Sequence, residues 1–235
     1  MPTIASAAAR RPLAFALVAA ALAVSGCDAI GQGGGSGASS GSGGGAAGSA
    51  LAAVETLTVK GRAPRTGYER EKFGRPWADT DGNGCGTRED ILVRDATGVR
   101  HKEGDRCKVA RGTIAADPYT GRRIEFRRGD GKVDIDHVVA LSDAWQKGAH
   151  RWDADKRLRF ANDPLNLLAV DSSANRRKGD GDTATWLPPS KAYRCPYVAR
   201  QVAVKKKYGV WVTAAERDAM RRVLKGCPGE PLPRS

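Results

Sequence analysis

The chain predicts an α+β fold, and three observations carry that prediction. Two apolar or β-branched runs, Val133–His137 and 165–170, read as strands bounded by turn residues. Helical patterns follow them: Ser172 or Ser173 can cap a helix running through Asn175 to Lys178, and 197–208 and 213–224 carry helical periodicity, with Thr213-x-x-Glu216 as a capping box. Four cysteines, Cys85, Cys107, Cys195 and Cys227, follow an export-type leader, and an even count in an exported domain implies disulfides. Proximity favors Cys85–Cys107 and Cys195–Cys227 among the three pairings. No Cys-x-x-Cys spacing supports a zinc site instead.

Taken in order, the chain opens with Arg10-Arg11 and a 12-residue apolar run, 13–24, ending in Ser25-Gly26-Cys27. A bilayer-spanning helix needs about 20 apolar residues. The short run with a charged start therefore reads as a secretory leader, 1–26. Cysteine after Ser-Gly resembles a bacterial lipobox, which would make Cys27 the lipidated first residue; the Arg pair leaves twin-arginine export open. Residues 31–50 are only Gly, Ser, Ala and one Gln, too poor in apolar side chains to offset chain entropy, so 27–55 is expected to be a flexible tether. The folded domain is then 56–235, a length suited to one domain. The expected location is extracytoplasmic, either secreted or held at the membrane through lipid on Cys27.

The four charged residues before 56 cancel: Arg10 and Arg11 against Asp28 and Glu55. All of the formal net charge of +13 therefore lies on the domain. A surface that basic favors polyanions, above all nucleic acid, with DNA ahead of RNA; no protein partner is inferable. Within the domain, the lead-in segment 65–77 is helical around 69–73. Short strands with turns fill 91–128, including 123–127, with Asp-Pro-Tyr-Thr-Gly at 117–121 as a turn. Residues 141–148 form a helix with Ser142 as a candidate cap. His101 and His150 lack a motif and are expected on the surface.

The chemistry converges on 131–182. Asp136 and His137 close the first strand, and Asn175 stands in the first turn of the following helix. A carboxylate and an amide oxygen are hard ligands suited to Mg²⁺ or Mn²⁺. An imidazole beside them can take a proton from an attacking water near neutral pH. Asn166, at the second strand, would hold the loop that carries the histidine. Lys178 and Arg176 are the candidate phosphate contacts.

The tracts Asp-Ile-Asp-His-Val-Val-Ala-Leu, Asn-Leu-Leu-Ala-Val and Ala-Asn-Arg-Arg-Lys-Gly-Asp resemble the ββα-metal, or HNH, endonucleases, including the HNH domain of RNA-guided CRISPR nucleases. From about 67 to 227 the chain resembles exported actinobacterial HNH proteins related to the GmrSD-type C-terminal domain. The resemblance implies an HNH core elaborated by an N-terminal strand-and-loop region and C-terminal helices. It implies Asp136 and Asn175 as metal ligands, His137 as general base and Asn166 as the structural middle residue. Asp134 matches an acidic position near the metal in some relatives. Asn175 stands where many HNH proteins have a final His, which favors an oxygen-preferring Mg²⁺ site. The function implied is metal-dependent cleavage of DNA, with RNA as the alternative substrate, and with little sequence specificity.

A second chemical candidate is the loop 79–90. Asp79, Asp81 and Asn83 stand at positions 1, 3 and 5 of a calcium-loop spacing, with Gly84 at 6 and Asp90 at 12; Arg88 or Asp90 could instead line the nuclease cleft. Two other function classes compete: a non-catalytic nucleic-acid-binding lipoprotein, and a calcium-stabilized envelope-binding module centered on this loop.

Overall fold

The computed structural model describes residues 48–234; the leader, Cys27 and most of the expected tether lie outside the described residues. The end of that expected tether is folded. Ser49 accepts a hydrogen bond from the Ala52 amide and starts helix α1, Ala50–Val54, whose Ala50 and Val54 are fully buried. The Ala50 amide also bonds the Glu230 carbonyl, and Arg221 pairs with Glu55. The boundary at 56 is therefore corrected: the domain includes Ser49 onward. Ala and Leu are strong helix formers, and with Ser49 ahead of them they form a capped helix where composition alone suggests a linker.

The loop 79–86 leads into helix α2, Thr87–Asp95. Strands were expected from 91, but Thr87, Ile91 and Leu92 bury one helical face, and Glu89 and Asp90 sit in the first turn, where a helix favors negative charge. Strands β1 (Thr97–His101), β2 (Val109–Ile114) and β3 (Ile124–Arg127) then form an antiparallel sheet in the order β1-β2-β3. The disulfide Cys85–Cys107 ties the 79–86 loop to the connection between β1 and β2.

Strands β4, Val133–His137, and β5, Leu167–Asp171, pair antiparallel with Ile135 opposite Ala169 and His137 opposite Leu167. β5 is buried on both faces. Leu167 and Ala169 join Val133, Ile135 and α2 in one core, while Leu168 and Val170 join α1 and the C-terminal helices in another. The strand begins at 167 rather than 165, because Pro164–Asn166 forms a 3-10 turn in which Asp163 accepts from the Leu165 amide.

Helix α3, Leu141–Gln146, is not capped by Ser142, which lies inside it and is fully buried. Helix α4, Ala154–Ala161, starts where Asp153 accepts from the Lys156 amide. Helix α5, Ser172–Lys178, is capped by Asp171, which accepts from the Ala174 amide, rather than by either serine. Helices α6, Arg194–Tyr208, and α7, Ala214–Lys225, close the domain and are joined by Cys195–Cys227.

Candidate active site

β4, β5 and α5 make a β-β-α unit, and the alternation of β4 sorts its side chains. Asp134 and Asp136 share the face covered by α5; His137 lies on the opposite face at the strand end. On the helix, Asn175 and Lys178 are three residues apart and so share one side. Two rungs result: Asn175 Nδ2 bonds Asp134 at 3.1 Å, and Lys178 Nζ sits 3.1 and 3.0 Å from the two oxygens of Asp136.

His137 is buried, and its Nε2 lies 2.8 Å from the Ala161 carbonyl. A carbonyl only accepts, so Nε2 carries the proton and Nδ1 keeps the basic lone pair. Burial pushes the imidazole down to about 3, with Arg70 and Lys178 adding to the shift against the Ala161 hydrogen bond. The ring is therefore neutral at neutral pH. Trp77 stacks on it, with centroids 6.1 Å apart and planes 16° from parallel.

The chain just after His137 is pinned by Asn166. The Asn166 side chain accepts from the Val139 amide at 2.8 Å and donates to the Val139 carbonyl, and its own carbonyl accepts from the Val138 amide. Asn166 is fully buried, so its action is positional.

Asp136 is enclosed. Besides Lys178, the hydroxyl of fully buried Tyr119 donates to it. Burial raises the Asp136 carboxyl above its ordinary range despite Lys178 and Tyr119. Burial and the Asp136 charge likewise hold the Tyr119 hydroxyl well above its ordinary range, so it remains a donor. Lys178 is corrected as a phosphate contact: its side chain is fully buried, and its ammonium also bonds the His137 carbonyl at 2.8 Å. Arg176 is exposed.

A cleft of about 270 Å³ brings together Asp136, His137, Asn175 and Arg176, with Arg70 and Tyr68 on its walls. Asp134, although bonded to Asn175, lines a second cavity with Arg88. The donors at the cleft are oxygens, and His137 Nε2 is turned to a backbone carbonyl, a set that fits a hard divalent cation. Lys178 and the Tyr119 hydroxyl both compete for Asp136.

In the 79–90 loop, Asp79 accepts from the Gly82 and Gly84 amides, and Asn83 donates to both Asp81 and Asp90, at 3.0 and 3.1 Å. Burial, together with the carboxylates of Asp81, Asp79 and Glu89, raises the Asp90 carboxyl against the pull of Asn83. Asn83 thus joins Asp81 and Asp90, and none of the three is among the residues lining the His137 cleft. His150 is half-buried and bonds the Trp145 carbonyl instead of standing free on the surface.

The model of the family described as GmrSD restriction endonucleases, C-terminal domain, matches residues 86–223. The chain belongs to this family. It is also similar to an uncharacterized secreted protein of Arthroderma benhamiae, 39% identical over 181 residues, covering 76% of this chain and 85% of that protein. The GmrSD match runs from the start of α2 into α7, so it contains Asp134, Asp136, His137, Asn166, Asn175, Arg176 and Lys178, while Tyr68 and Arg70 on the cleft walls lie before it. Trp77 and the calcium-like positions Asp79, Asp81 and Asn83 lie before it.

Sequence reading missed three partners of the candidate site. Tyr119 was seen only as part of a turn. In that turn Asp117 accepts from the Thr120 and Asp171 amides, which carries the tyrosine to the start of α5. The Ala161 carbonyl is a backbone group at the end of an unforeseen helix, although Asp153 ahead of a charged amphipathic stretch was a readable start signal. Trp77 had no signal.

Proposed function

We propose that this protein is an extracytoplasmic, metal-dependent endonuclease that hydrolyzes phosphodiester bonds of nucleic acid, with DNA favored over RNA as the substrate, and with little sequence specificity. The family supports a nuclease; the observation that carries the mechanism is the fixed tautomer of His137 beside Asp136 and Asn175 in one cleft. Export is supported by the two disulfides and by the secreted relative. Lipid attachment at Cys27 is the accompanying proposal for where the protein resides.

In this reading Nδ1 of His137 takes the proton from the water that attacks phosphorus, while the Ala161 carbonyl steadies the charge that develops on the ring. Asp136 and Asn175, with Asp134 behind Asn175, would hold Mg²⁺ or Mn²⁺. When bound, that ion supplies Lewis-acid stabilization of the phosphoryl oxygens. Arg176 meets the substrate phosphates from the exposed side of α5. Asn166 keeps Val138 and Val139, and so His137, in register. Lys178 balances the buried Asp136.

Calcium on the 79–90 loop is a separate, second reading that rests on its ligand spacing, with Asn83 bonding both Asp81 and Asp90. The test of the main reading is plasmid cleavage by the full chain. Nicking and linearization are expected with Mg²⁺ or Mn²⁺ and none in EDTA. DNA binding without cleavage under every metal condition would assign the protein to the non-catalytic class.

A further inference from the structure

We propose that the cavity beside His137 is a nucleobase subsite, where Trp77 stacks the base next to the scissile phosphate and so selects unpaired strands. The proposal rests on the nuclease reading for its substrate. The cavity, about 180 Å³, is walled by Phe73, Pro76, Trp77 and Leu141, with Arg70 and Arg75 among its lining. Arg70, Leu141 and His137 also line the catalytic cleft, so the two spaces adjoin at the base. A cavity of about 150 Å³ accepts a benzene ring, so the space suits one planar heterocycle.

Trp77 is the only described non-glycine residue with a positive φ, +56°. Such a conformation costs on the order of 1–3 kcal/mol and persists only where its surroundings enforce it. Three contacts do so. Asn162 Oδ1 accepts from the Ala78 amide at 3.0 Å, and Thr87 donates to the Ala78 carbonyl. Gly86 lies so close that a Cβ there would be 2.7 Å from the Trp77 carbonyl. Yet the indole is only half-buried, stacked on the ring of His137. Trp77 packs in part against the core that contains Ile135 and Leu167, and it also lines the cavity beside His137.

An indole beside guanidinium groups is the chemistry that holds unstacked bases and the phosphates flanking them. A base inside a duplex has both faces covered and must leave the stack to enter such a pocket.

Two measurements on the full chain test this. In EDTA, short single strands carrying 2-aminopurine should lose fluorescence on binding, and Trp77→Asn should abolish that quench while Trp77→Phe keeps it. Asparagine tolerates a left-handed backbone, so Trp77→Asn removes the ring without adding strain. With Mg²⁺ and wild-type protein, an abasic spacer stepped along a cleavable strand should lower kcat/KM about 5- to 150-fold at one position beside the cut. Quenching without any cleavage would sink the nuclease reading and leave the subsite standing. Equal cleavage of paired and unpaired strands, with no sensitive position and no Trp77-dependent quench, would overturn the subsite and leave the nuclease reading intact.

Discussion

Asp136 and Lys178 show how one contact changes the meaning of a residue. In sequence, Lys178 ends the run Arg176-Arg177-Lys178 and reads as part of a phosphate-gripping face. In the fold it lies three residues after Asn175, on the side of α5 that meets β4, and both oxygens of Asp136 receive its ammonium. Helical spacing alone could have shown that 175 and 178 share a side; which side faces the strand was not legible. Removing one partner of a buried pair typically costs about 3–5 kcal/mol. Lys178→Met should therefore lower the melting temperature and activity while leaving the salt dependence of DNA binding unchanged. Arg176→Ala should melt like wild type but reduce the slope of log affinity against log salt by about 1. Melting curves and binding titrations across salt concentrations check both, and a reduced slope for Lys178→Met would restore it as a phosphate contact. By contrast, the Asp-His pair and the two asparagines were legible because residue types that bind hard cations and move protons are few.

Elements were read best where their signals are local. Val133–His137, α5 and the C-terminal helices follow from periodicity and caps, whereas α1 and α4 were lost to composition and to an overlooked cap. What joins the elements was invisible. Lys147, just after α3, reaches Asp143, Asp182 and Glu216 at 2.7, 2.8 and 2.6 Å, and Lys205 of α6 reaches Asp143 and Glu216 at 3.2 and 2.9 Å. Arg62 closes the cluster on Asp143 and Asp182. Glu216 had been read as half of a capping box; Thr213 does cap its amide, but its carboxylate turns inward to these lysines. Such contacts join segments far apart in sequence, so no window of sequence contains them. Burial alone would raise the Asp143 carboxyl, but Lys205, Lys147 and Arg62 overcome it and hold it down to about 2. Its folded value lies below its unfolded one, about 3.9, so its stabilization is full above about pH 4 and is lost as pH falls through about 2. Lys147→Met should destabilize the domain by about 3–5 kcal/mol at neutral pH and begin acid unfolding at a higher pH than wild type. Melting temperature followed from pH 7 to pH 2 checks this; wild-type behavior of Lys147→Met would show that the cluster does not bind the helices together.

At the scale of the whole molecule, a net charge of +13 and an even set of cysteines behind an export-type leader pointed, from the sequence alone, to a polyanionic partner. The domain edge was misplaced because an Ala-rich tract looks like linker until Ser49 and the C-terminal residues that dock on it are considered together. α6 and α7 share one core with Leu168 and Val170 of β5 and Ala174 of α5, and His137 bonds the Ala161 carbonyl and stacks with the Trp77 indole. The central claim is that this imidazole is the general base. It is tested most directly by single-turnover cleavage of labeled DNA by the full chain and its His137→Ala variant at saturating Mg²⁺, with binding measured alongside. The account predicts a loss of about 10²–10⁴-fold in rate, since that is what a general base contributes. It also predicts DNA affinity within a few-fold of wild type, because Lys and Arg supply it. Cleavage by His137→Ala within a few-fold of the wild-type rate would contradict it.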